Sequence, residues 1–205
     1  MKRHVPLMTS MVFAAATTLA QAQAPAPKPV PAPKATTHDT AKAANADEEF
    51  ARKVAAGGAA EVELAKLAQQ KGSSEDVKSL AARLEMDHMK ANDELKALGS
   101  KKGWDLPSTP TADQTAKKEK FEKLSGAAFD KAYVDLMVSN HRTNISAFEH
   151  QASKGSDADL KQFASSTLPT LKTHLDMATK VQKSLGQSTS SKYSSKDSSK
   201  NTPTK

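Results

Sequence analysis

One carboxylate and three imidazoles, Glu61, His88, His141 and His174, fall at interior positions of four separate apolar repeats, with Asn144 one turn beyond His141. Imidazole is the commonest protein ligand for metal ions and also the side chain that titrates near neutrality. A buried carboxylate is costly unless paired or coordinated, and a buried imidazole needs partners of its own. Four such groups turned towards one interior therefore point to one of two chemistries. A transition-metal ion (zinc, iron or copper) takes Glu61, His88, His141 and His174 as ligands, with Asn144 beside them. Alternatively, a hydrogen-bonded network with water satisfies the same groups without an ion. The first describes a metal-binding protein. The second describes a non-catalytic envelope or stress-related interaction protein whose polar core is structural.

Other motifs carry less. Glu85-x-x-His88 has the spacing used by carboxylate-bridged di-iron bundles, but Leu171 stands where its counterpart before His174 would be. Glu85 lies one place off the seam and reads as a surface charge. Met137 and Met177 lie one turn from His141 and His174. Methionine beside histidine suits copper(I), although methionine is more often core filler. No Ser-His-Asp spacing, Gly-rich phosphate loop or pair of catalytic acids stands out, so no catalytic residue is assigned.

The elements that must position the four groups are helices. Apolar residues recur at 4-3 spacing in four stretches, represented by Phe50–Ala68, Val77–Leu98, Val134–Phe148 and Leu160–Leu185, the seam of an antiparallel bundle. Lys71-Gly72-Ser73-Ser74 and Lys154-Gly155-Ser156-Asp157 open two copies of one repeat, each read as a turn between helices. Glycine supplies a left-handed position there, and serine caps the next helix with an acid three residues on. The result is two helical hairpins joined by residues 103–126, which hold a short helix over Ala112–Leu124. Trp104 is expected to plug one end of the bundle. At about 1.5 Å per residue, the four polar groups spread over about 10–12 Å along the axis, whether the two turns share an end or not. Glu61, His88 and His141 stay within about 8 Å, whereas His174 must reach, or its helix must bend at Pro169.

The flanks read differently. Met1-Lys2-Arg3-His4, an apolar run from Leu7 to Leu19 and then Ala20-Gln21-Ala22 have the pattern of a signal peptide cut after Ala22. Residues 23–45 are an Ala/Pro-rich spacer, 46–186 the folded body and 187–205 a Ser/Lys-rich disordered tail. The run to Leu19 is too short to span a bilayer comfortably, so the mature chain is expected to be periplasmic or secreted, without an integral membrane segment. Its protein partner is not legible. With no cysteine in the chain, stability rests on packing. The formal charge of +7 does not signal nucleic-acid binding. Residues 46–186 carry 21 basic and 21 acidic side chains, and the excess lies in the flanks.

Several stretches together resemble the family called domain of unknown function 4142: Phe50-Ala51-Arg52-Lys53 through Glu61-Val62-Glu63-Leu64, Asp87-His88-x-Lys90-x-Asn92, Asn140-His141, and Thr167-Leu168-Pro169-Thr170-Leu171-x-x-His174. The resemblance covers about residues 46–183. It implies a ferritin-like four-helix bundle in an exported bacterial protein. It also implies functional polar positions at Glu61, Asp87, His88, His141 and His174, with Asp87 supporting the ligands from behind. Asn140 stands where an acid is common in the family, which removes a carboxylate and argues against di-iron oxidase chemistry.

Overall fold

A computed structural model describes the backbone of residues 37–197 and the side chains of residues 44–187. Among the described residues there are five helices and no strand: α1 (Thr37–Lys71), α2 (Glu75–Lys102), α3 (Ala112–Glu122), α4 (Gly126–Lys154) and α5 (Ala158–Asp197). None is long and apolar enough to cross a membrane. The expected signal peptide, the spacer as far as residue 36 and residues 198–205 lie outside the described residues.

Local chemistry sets the helix ends. Glu75 and Asp76 occupy the first turn of α2 and Lys101 and Lys102 its last, each sign matching the helix dipole. Gly103 closes α2 at φ 72°, a left-handed position that favours glycine. Thr111 and Gln114 form a reciprocal capping box on α3. Two expected boundaries move outward. Helix α1 begins at Thr37, inside the segment read as spacer, because the prolines stop at Pro33 and the following residues include the good helix formers Ala41, Lys42, Ala43 and Ala44. Helix α5 continues to Asp197, inside the segment read as tail, since adding residues to a formed helix is far easier than nucleating one.

Helices α1 and α2 pack as one hairpin and α4 and α5 as the other; α2 also lies against α5, and α1 against α4. The contacts at the turns define the course of the chain. Asp130, in the first turns of α4, accepts hydrogen bonds from the Ser73 and Ser74 backbone N–H groups at 3.0 and 2.9 Å and from the Ser73 hydroxyl at 2.5 Å. Asp47, near the start of the described side chains of α1, does the same for Ser156 and Asp157 at 2.9 and 2.6 Å, and accepts from Gln151 at 2.7 Å. The two turns therefore lie at opposite ends. The connection carrying α3 runs the length of the helices, along α1 and α4, with Lys118 of α3 paired to Glu63 of α1 at 3.3 Å.

The turns themselves differ from expectation. Gly72 and Gly155 do not adopt positive φ. Glycine is required there by close approach: a Cβ on Gly72 would lie 2.6 Å from the Ala68 carbonyl and 3.2 Å from Asp130 Oδ1, and one on Gly155 would lie 2.2 Å from Gln151 Nε2. Ser74 makes no side-chain cap, and α5 is capped by Asp157 Oδ1 accepting from the Leu160 N–H at 3.0 Å. The other N–H groups of each turn, those of Ser73 and Ser74 and of Ser156 and Asp157, are taken up by a carboxylate of the opposite hairpin.

The core is in two parts. One cluster holds Leu64, Val77, Leu80, Leu84, Phe129, Tyr133 and Val134, and the other holds Ala51, Leu95, Phe148, Leu160 and Leu171. Trp104 packs on the second, at the end where it was expected. Each fully buried large apolar side chain contributes about 1.5–3 kcal/mol. Between the clusters lie Glu61, His88, His141 and His174, all buried.

Candidate metal centre

Each of the four helices brings one of these side chains to the interior, and the structure brings all four together. The His88, His141 and His174 rings have centroids 5.2–5.6 Å apart. One nitrogen from each lies within 4.8 Å of the others. Glu61 closes the fourth side, with Oε2 2.7 Å from His88 Nε2. His174 does not stand apart as axial counting suggested. The ruler of residues per turn measures Cα heights only, and side chains leaning along the axis close a gap of several ångströms.

Hydrogen bonds from outside the cluster fix the rings. His141 Nδ1 lies 2.9 Å from the Met137 carbonyl, which can only accept, so the proton sits on Nδ1. His174 Nε2 lies 2.8 Å from Asp87 Oδ2, again an acceptor, so that ring carries its proton on Nε2. Asp87 is held in turn by Arg83 Nε at 2.6 Å. The nitrogens facing inward, His141 Nε2 and His174 Nδ1, are then bare lone pairs 3.2 Å apart. Two lone pairs repel at that distance. Two imidazole nitrogens bound tetrahedrally to a zinc-sized ion, with bonds of about 2.0–2.1 Å, are about 3.3 Å apart. The Glu61–His88 contact is also short without being aligned as a hydrogen bond, leaving Oε2 and Nε2 buried and without a hydrogen-bond partner.

The electrostatics follow from burial and this geometry. Burial disfavours charge on Glu61, but the attraction of His88, with smaller contributions from His141 and Asn140, outweighs it and holds the carboxyl down at about 2. For His88 burial again opposes charge, and the Glu61 carboxylate overcomes it, so the imidazole titrates above its ordinary range. His141 is pushed down, first by burial and then by the neighbouring His88. Burial likewise lowers His174 to about 4, against the pull of Asp87. Asp87 lies below the usual carboxylate range because its bonds to His174 and Arg83 outweigh its burial. At neutral pH the site therefore holds two neutral imidazoles with inward lone pairs beside a carboxylate.

The supporting residues are partly those expected. Asp87 binds His174, the carboxylate–histidine arrangement that orients metal-ligating imidazoles. Asn144, half-buried, faces a neighbouring cavity, and it is Asn140 that donates to Glu61 Oε1, at 3.2 Å. Sequence reasoning noted Asn140 only as a missing acid; its position one residue before His141 is the signal that could have found it. Glu85 lies away from the cluster and accepts from Gln69 at 2.6 Å. Met137 contributes its carbonyl, and its side chain is packed in the core.

Fold and site together define a helical protein with a histidine-rich polar centre buried between two hairpins. The model of the family described as domain of unknown function (DUF4142) matches residues 32–181, and the chain belongs to that family. Among solved structures the chain is similar to the crystal structure of a DUF305 protein from Streptomyces coelicolor, named as a secreted protein. The two are 17% identical, with a TM-score of 0.57, over 69% of this chain and 94% of that one. At that identity the likeness is one of fold. No curated protein matches the chain.

Proposed function

We propose that the mature chain is an exported, ferritin-like four-helix bundle that binds one transition-metal ion through Glu61, His88, His141 and His174. Asp87 and Asn140 orient the ligands. The observation carrying this reading is the pair of inward lone pairs on His141 and His174, 3.2 Å apart and fixed from behind by Met137 and Asp87. A cation between them turns a repulsion into two bonds. Three imidazoles and one carboxylate suit zinc, iron(II) or copper rather than magnesium or calcium, which prefer all-oxygen sites. The ferritin-like description is supported by the two hairpins and the long crossover connection. Export is supported by the signal-peptide pattern ending at Ala22 and by the fold shared with a protein named as secreted.

A second reading has an observation of its own. The Glu61–His88 ion pair at 2.7 Å and the Asp87–His174 bond give a metal-free core part of its compensation. Elemental analysis separates the two. Untagged mature protein, loaded in turn with zinc, iron(II) and copper and then dialysed, is expected to retain one ion per chain, and the His88→Ala/His141→Ala protein none. No retention of any of the three ions by the folded wild-type chain overturns the metal reading and leaves the structural core.

A further inference from the structure

The fold repeats itself at a fixed offset of 83 residues, which relates Lys71 to Lys154 and the two capping carboxylates, Asp47 to Asp130. The same offset applied to the metal centre relates Glu61 to Asn144, His88 to Leu171, Gly58 to His141 and Ala91 to His174. Each ligand thus has a counterpart that is small, apolar or uncharged. All four counterparts, Gly58, Ala91, Asn144 and Leu171, line one cavity of about 220 Å³, which Glu61 and His88 also border. Where one half of the pseudo-symmetric interior holds imidazoles, the other half holds space.

The walls of that space define what fits it. Phe50, Phe148 and Phe163 stand on one another, with centroids 5.2 Å and 6.1 Å apart, as an aromatic wall, and Val54, Ala91 and Leu171 add aliphatic surface. The polar lining comes from Asn92, Asn144, Glu61 and His88, and from Thr167, whose hydroxyl already donates to the Phe163 carbonyl. Lys53 is exposed at the edge and paired with Glu49, so it brings no buried charge. An apolar cavity of about 150 Å³ accommodates benzene, so 220 Å³ admits a six-membered ring with a substituent. The two buried charged groups on the cavity's border, Glu61 and His88, are paired with each other at 2.7 Å, so a charged ligand would lose its hydration without a free counter-charge.

We infer that this cavity is a binding site for a small uncharged aromatic molecule of the phenol class, its ring against the three phenylalanines and its polar atom towards Glu61 and His88. The site rests on the fold and the lining residues, and stands whether or not an ion occupies the neighbouring centre. Phenol titrated into the full mature chain with labelled methyl groups is expected to give saturable NMR shifts at Val54, Ala91 and Leu171. Gly57 lines the same cavity, and a Cβ there meets nothing within 4 Å. Gly57→Leu therefore adds apolar bulk at the cavity wall from a Cβ that meets no neighbour, and favours the helix; it is expected to abolish phenol binding while metal content is retained and the thermal midpoint does not fall. Saturable binding lost in Gly57→Leu, with metal content retained, supports the cavity as the site. Shifts that fail to saturate, that centre on other residues, or that persist in folded Gly57→Leu overturn it. Phenol binding by a chain that retains no metal removes the metal reading and keeps this one.

Discussion

Acidifying the metal-free protein should destabilise it through His174. The ring is fully enclosed, and its pKa falls from the ordinary 6.5 to about 4 in the fold. Below pH 6.5 the unfolded chain therefore binds a proton that the folded chain refuses, so stability falls as pH falls. The loss is about 2 kcal/mol at pH 5 and about 3 kcal/mol at pH 4, and nothing is lost above pH 7. His141, also lowered, adds in the same direction. His88 opposes: its pKa is raised, so its contribution is complete below 6.5 and disappears as pH rises through its folded value. Glu61, held at about 2, contributes fully above about pH 5 and is lost progressively between 4.5 and 2, so it adds about 1 kcal/mol to the loss at pH 4 and almost nothing at pH 5 and above. The assay is urea unfolding of chelator-treated protein at pH 7.5, 6, 5 and 4, beside His174→Gln. A 2 kcal/mol loss lowers the midpoint by about 1 M at pH 5, and His174→Gln should flatten most of the slope. A wild-type midpoint constant between pH 7.5 and 4.5, or one that rises on acidification, would refute neutral, buried imidazoles in the metal-free fold.

Asp87→Asn removes the charge behind His174 while keeping its shape, and should weaken metal binding about 10- to 100-fold with the far-UV spectrum unchanged, measured by competition with a chromogenic chelator. Asp130→Ala strips three donors in the Ser73–Ser74 turn of their acceptor and should cost about 2–4 kcal/mol in urea unfolding. Leu84→Ala, at a fully buried position, should cost about 2–5 kcal/mol in the same assay. His150, exposed on α4, should be replaceable by alanine with no change in metal per chain by elemental analysis.

The helices and their buried faces were legible because period and burial coincide: Leu84, Val134, Leu160 and Ala178 occupy seam positions and are enclosed. The four interior polar residues were legible for the same reason, as interruptions of an apolar seam. The crossover was not, because nothing local in residues 103–126 records which end α4 starts from; Asp47 and Asp130 decide it, through contacts 109 and 57 residues away in sequence. Asn140 escaped because it lies off the seam, and it reaches Glu61 across the packed faces of α1 and α4. The roles of Gly72 and Gly155 were misread since sequence marks a glycine but not whether torsion or crowding requires it.

The placement of Asp47 and Asp130 bears on how the molecule assembles. Each bend keeps backbone bonds of its own, but the acid that binds the N–H groups at its tip is delivered by the other half. A severed half should remain largely unfolded in isolation, and mixing the two halves should restore helicity only when both are present. The same reciprocity lets two chains trade halves without losing a bond, so intertwined dimers are the natural by-product of refolding at high concentration.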